Sequence, residues 1–342
     1  MYVTPRPDAC DDPHYAVRLG LTGALSYLAV AILAPALPPV VAALPVGLIA
    51  AQRRAFNPGR AIGAPVSIIV MVTVFTWAVE QLRPMPLVYV GAMWLTYFGG
   101  FLMILRTGAP TGMLILIVAV LMSVMGMNGS ATVETMRDGF VQASLVALVL
   151  APLVYWLVPP RTRERHVDAP VPGPGHAATG AAIRASVLMA LTFWLYTVMQ
   201  PSDMMMAMVA TMVLVFPTRQ AVTSEAMQRV RATLYGGAAA LALTLLALWT
   251  LSPHLPVLLG LIFLSGLGFG HLMFTGRQPS MVYQYAFSVV LALVAGALST
   301  QDPGYATFTR IVLTLAGAFA AASAVGLLDA LTDWRGERAA NA

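Results

Sequence analysis

Lysine is absent from this chain, cysteine occurs once, and charged residues of all kinds make up only 10% of 342 positions. Soluble domains carry about 25% charged residues, so a water-solvated globule is excluded. The single Cys10 lies in the polar amino-terminal stretch, which rules out a disulfide framework, a thiolate metal cluster and a paired redox motif. Catalytic signatures are missing as well. There is no H-E-x-x-H, no G-x-S-x-G, no Walker A loop and no paired Asp motif of the diphosphate-binding kind. The glycine-rich "GLGFG" at 266–270 sits inside an apolar run, where small residues serve helix packing. The expectation is therefore a protein that is not an enzyme and that needs no cofactor or metal.

Apolar residues, by contrast, reach 59%, and they come in repeated runs long enough for a bilayer core of about 30 Å. The pattern predicts an all-α, polytopic bundle of about twelve spans, approximately 15–34, 38–51, 61–79, 87–105, 112–127, 138–158, 181–199, 203–217, 233–251, 257–274, 282–298 and 306–330. No polar block is long enough for a separate soluble domain. The net charge of +5 is dispersed one to three arginines at a time between apolar segments, which argues for topology and against nucleic acid. With the amino terminus in the cytoplasm, sixteen of nineteen arginines fall on the cytoplasmic side, and Arg83, Arg137 and Arg310 fall outside. Both termini are thus expected in the cytoplasm.

The Pro/Gly-rich stretch 159–180 reads as a cytoplasmic linker between two membrane units, 15–158 and 181–330, with tails at 1–14 and 331–342. The units look alike. Arg18 and Pro35 recur as Arg184 and Pro201 at an offset of 166 residues, and Arg53 recurs as Arg219. After a small insertion Arg60 pairs with Arg231 and Arg106 with Arg277 at 171, and Arg137 pairs with Arg310 at 173. Arg pairs at cytoplasmic loops follow from topology alone; Arg137 and Arg310 do not, since both lie on the disfavoured outer side. An even number of spans per unit predicts two parallel six-helix repeats, related by an axis along the membrane normal.

The second span of each unit is short and interrupted by proline. Pro45 lies inside 38–51, while 203–217 opens on Asp203 and holds Met204, Met205 and Met208. Broken spans at matching positions point to a central solute site, because they expose backbone dipoles. A Met-rich wall moulds to varied apolar solutes, though Met also fills cores. His271 is the sole His inside an expected span and, with Asp203, is a candidate for proton coupling; a hydrogen bond to a neighbouring helix is the plainer role.

The Pro-broken second span followed by "AAQRRAFNPGR" (50–60), and its echo "FPTRQAVTSEAMQRVR" (216–231), resemble the fusaric-acid-resistance and aromatic-acid-exporter family of bacterial inner-membrane proteins. That resemblance implies efflux of aromatic carboxylic acids and related compounds, and work with a periplasmic adaptor of the membrane-fusion type. It implies anion-facing roles for Arg53, Arg60, Arg219 and Arg231, and for the outer pair Arg137 and Arg310. The chain departs from better-known exporters in lacking a large cytoplasmic domain between its halves. The leading expectation is an inner-membrane organic-anion exporter, with Trp194 and Tyr196 covering the solute's ring. An uncoupled anion channel and a membrane scaffold without a solute are the rivals; substrate identity and any homo-oligomer are left open.

Overall fold

Proline marks where helices begin. Pro38, Pro58, Pro86, Pro110 and Pro303 each occupy a first helical position, where the missing N–H would have had no intrahelical partner. The computed structural model describes residues 12–50, 54–108, 110–162, 176–198, 219–249, 254–297 and 303–332. Among them every regular element is helical: α1 Tyr15–Leu33, α2 Pro38–Ala50, α3 Pro58–Leu82, α4 Pro86–Thr107, α5 Pro110–Asn128, α6 Ser130–Leu157, α7 Ala177–Val198, α8 Arg219–Trp249, α9 Leu255–Thr275, α10 Ser280–Ala297 and α11 Pro303–Thr332. The Asn57 side chain caps α3 by accepting from the Arg60 backbone N–H at 3.4 Å. Gly108, at φ 67°, ends α4 in the left-handed conformation that glycine adopts without steric cost.

Eight of these helices are long and apolar enough to cross a membrane, and two shorter apolar stretches, Pro38–Leu48 and Ser280–Gly296, accompany them. The chain is a multi-pass membrane protein. Its outward surface carries Leu87, Trp156, Ile32, Trp77 and Leu327, all largely exposed, as a lipid-facing belt requires. The expected twelve spans thus correspond to helices at eleven places, and the stretch 203–217 lies outside the described residues. Two helices start earlier than the apolar runs suggest: α6 at Ser130 rather than 138, and α8 at Arg219 rather than 233. A helix that continues past the hydrocarbon into the polar zone keeps its backbone bonds while its hydropathy drops, so apolar runs underestimate its length.

Two helices form the interior. In α5 the run Val118–Met122 and in α10 the run Val290–Ala295 are 0–3% exposed at every position. A stretch buried on all sides is apolar at every position, and both runs are, while Ser123 of α5 and Gln284 of α10 are buried polar residues beside them. Around them the helices before and after the stretch 159–180 pack in comparable ways. In the first half α3 packs on α6 and α5, and α4 on α5; in the second, α8 packs on α11 and α10, and α9 on α10. Between the halves α1 runs along α9 and α4 along α7.

The α1–α9 contact rests on small residues. A Cβ placed on Gly20 would lie 2.6 Å from the Phe263 carbonyl oxygen, and one on Gly266 2.6 Å from the Gly20 Cα. One on Gly270 would lie 2.6 Å from the Ala16 Cα. Helices without a hydrophobic drive toward each other associate through such close backbone approach.

Candidate functional site

The side chains selected from sequence are dispersed. Arg60 opens α3 beside the Asn57 cap, and Pro45 is buried in α2. Arg231 Nη1 on α8 donates to Gln278 Oε1 at 2.7 Å in an exposed setting. His271 lies on an exposed face of α9, where its carbonyl accepts from Thr275 Oγ1 at 3.1 Å. Trp194 and Tyr196 are exposed near the end of α7. Arg219 and Arg310 lie on α8 and α11 with side chains outside the described residues, as are Arg53, Asp203, Met204, Met205 and Met208 altogether.

Arg137 has a local partner: its Nε donates to Asp138 Oδ1 at 2.9 Å, with the Arg137 side chain part-exposed and that of Asp138 exposed. An exposed pair of this kind is worth about 0–1 kcal/mol. Arg137→Ala is therefore expected to leave folded yield unchanged and to move the melting temperature in detergent by little; a loss of folded protein would show that Arg137 has a structural role this pair does not reveal.

What the fold does assemble are two buried arginine centres that the sequence marked only as topology and repeat register. Arg18, one turn into α1, is 1% exposed and forms an ion pair through Nη2 with Asp12 Oδ2, itself 2% exposed. The same Asp12 oxygen accepts from the Arg54 backbone N–H at 3.0 Å. The ring of Tyr155, near the end of α6, lies 4.7 Å from the Arg18 Cζ, and Phe56 packs on Tyr155 with centroids 5.1 Å apart. One cluster thus ties the start of α1, the turn before α3 and the end of α6. Arg54 holds its place with φ at +67°, a left-handed backbone that is costly for a residue with a Cβ.

The second centre is its counterpart. Arg184 on α7 is 0% exposed and meets Asp329 on α11 through two contacts, Nη2 to Oδ2 at 3.1 Å and Nη1 to Oδ1 at 3.4 Å. Nη1 also donates to the Gly180 carbonyl at 3.1 Å. A planar guanidinium fork suits a carboxylate in this way, and a charge this deep persists only when paired. In each half the last helix reaches the buried arginine of the first helix, with Tyr155 at that level in α6 and Asp329 in α11.

Two further polar groupings sit inside. The Arg229 Cζ lies 3.1 Å from the centroid of the Tyr285 ring, joining α8 to α10. Tyr97, fully buried in α4, shares its hydroxyl with Ser123 Oγ of α5 at 2.6 Å and Thr192 Oγ1 of α7 at 3.3 Å, and Tyr89 donates to the Ser123 carbonyl at 2.8 Å. Among the described residues no three His, Cys, Asp or Glu side chains come together as metal ligands. Of these groups, the Arg18 and Arg184 centres each hold a carboxylate of the chain itself.

Residues 189–324 match the family model described as fusaric acid resistance protein-like. The match runs from the middle of α7 into α11 and supports the family resemblance read from the second-span motifs. Comparison with curated proteins and with solved structures gave no match.

Proposed function

We propose that this protein is an inner-membrane exporter of organic anions, chiefly aromatic carboxylates. It would be built as two parallel six-helix repeats of about twelve spans, with both termini in the cytoplasm. The observation that carries the reading is the pair of fully buried arginines, Arg18 and Arg184, at matching places in the two halves, each already holding a carboxylate. Intramembrane cations are expensive and concentrate where a solute or ion must be met. Similar helix packing in the two halves supports the repeat, and the fusaric acid resistance protein-like match supports transport of toxic aromatic acids. The outer arginines and Arg60, Arg231 and their equivalents would line the route, and a periplasmic adaptor of the membrane-fusion type would carry solute onward.

Purified protein in liposomes, offered radiolabelled benzoate, salicylate and picolinate, is expected to move at least one of them, with flux abolished when the proton gradient is collapsed at fixed potential. Flux that ignores pH and follows potential would replace the exporter with a channel. No flux for any acid, together with a protein that co-purifies stoichiometrically, would replace it with a scaffold.

A further inference from the structure

The two buried arginine centres match in position but differ in how their carboxylates are held. Asp329 belongs to helix α11 and engages Arg184 through two oxygens, with the Gly180 carbonyl adding a third acceptor. Such a carboxylate moves only with its helix. Asp12 precedes α1, in no regular element. It uses one oxygen, Oδ2, for both Arg18 and the Arg54 backbone N–H. Asp12 Oδ1 and Arg18 Nη1 are both buried, and neither has a hydrogen-bond partner among the described residues. The Nη1 arm of the Arg18 guanidinium is thus unmatched among the described residues, while the Tyr155 hydroxyl is hydrogen-bonded to the same side chain. Beside it stand two aromatic rings, Tyr155 with its centroid 4.7 Å from the Arg18 Cζ and Phe56 tilted against Tyr155 at 47° with centroids 5.1 Å apart.

We infer that Arg18 is the receiving site for an aromatic carboxylate at the cytoplasmic end of the first half, and that Asp12 is a built-in carboxylate that occupies it until solute displaces it. The inference rests on the reading of the protein as an organic-anion transporter, and names that reading's site. A free aromatic acid offers both oxygens to Nη1 and Nη2, where Asp12 offers one, and lays its ring against Phe56 and Tyr155, where Asp12 has none. It replaces one carboxylate by another, so the buried charge stays compensated throughout the exchange. Releasing Asp12 also releases its hold on Arg54, so occupancy is communicated to the turn leading into α3. The Arg184 centre, whose carboxylate is carried by helix α11, is a fixed joint.

Cys10, two residues before Asp12 and the single cysteine of the chain, serves as reporter. In detergent-solubilised full-length protein, benzoate is expected to speed maleimide labelling of Cys10 at least threefold. The neutral analogue benzamide should have no effect, and Asp12→Asn should label fast without benzoate. In liposomes Asp12→Asn is expected to lower the half-saturating benzoate concentration at least threefold. Phe56→Leu should raise that concentration for benzoate and leave it unchanged for propionate. Labelling indifferent to benzoate, together with an unchanged half-saturation in Asp12→Asn, overturns the inference and makes Asp12 a structural anchor of α1. Wild-type protein that carries none of the acids but shows benzoate-dependent labelling removes the transport reading and leaves the site standing. Absence of both removes both. If Asp12→Asn does not accumulate, the wild-type labelling comparison decides.

Discussion

Replacing Arg184 by alanine is expected to remove most of the folded protein from the membrane. The change leaves the Asp329 carboxylate, 3% exposed, without its fork of donors in the interior. Breaking a buried pair from one side costs about 3–5 kcal/mol, because the remaining charge stays desolvated and uncompensated. Against a total stability of about 5–15 kcal/mol that is a large fraction. Asp329→Ala should cost as much from the other side. Arg184→Met combined with Asp329→Leu removes both charges and refills the space, and is expected to recover most of the folded yield. The measurement is folded yield by size-exclusion chromatography, with thermal melting in detergent. A double variant no better than either single one would show that the pair does more than neutralise itself.

The second large effect is expected at the α1–α9 contact. A Cβ at Gly266 would lie 2.6 Å from the Gly20 Cα and 2.6 Å from the Phe287 Cζ. The first obstacle is backbone, so it yields only if the two helices separate. Overpacking typically costs about 1–3 kcal/mol, and a larger side chain drives the helices further apart. Gly266→Val should therefore lower the melting temperature sharply and reduce folded yield. Gly268→Ala, where an added Cβ meets nothing within 4 Å, should be tolerated. Equal tolerance of both substitutions would mean that α1 and α9 do not approach as closely as described.

Helices were legible because long apolar runs have few other uses, and all eleven described helices fall where such runs were read. Their polar extensions were not, since Glu134 and Arg137 carry no hydropathy signal although they continue α6. The buried arginines were missed for a different reason. The positive-inside rule already accounts for an Arg near the start of α1 or α7, so nothing in the local sequence separates a solvated charge from an enclosed one. The partner settles the matter, and Asp329 lies 145 residues from Arg184 in the chain. Asp12, six residues before Arg18, was nearer to hand. Three acidic residues in the amino-terminal stretch followed by an Arg inside an apolar run are the one signal that pointed there. Tyr97, Ser123 and Thr192 form a cluster no spacing rule connects, because it depends on α4 meeting α7 across the halves.

That crossing has a consequence for how the chain is made. The glycine face of α1 is complete once Leu33 has been synthesised, but the helix that covers it starts only at Leu255. At roughly 5–20 residues per second, the ribosome takes on the order of ten to fifty seconds to supply it. Throughout that interval the small-residue face of α1 lacks the helix that covers it in the finished protein. α4 waits more briefly for α7. A chain stopped after α6 would therefore hold six helices with the faces of α1 and α4 that meet α9 and α7 still uncovered.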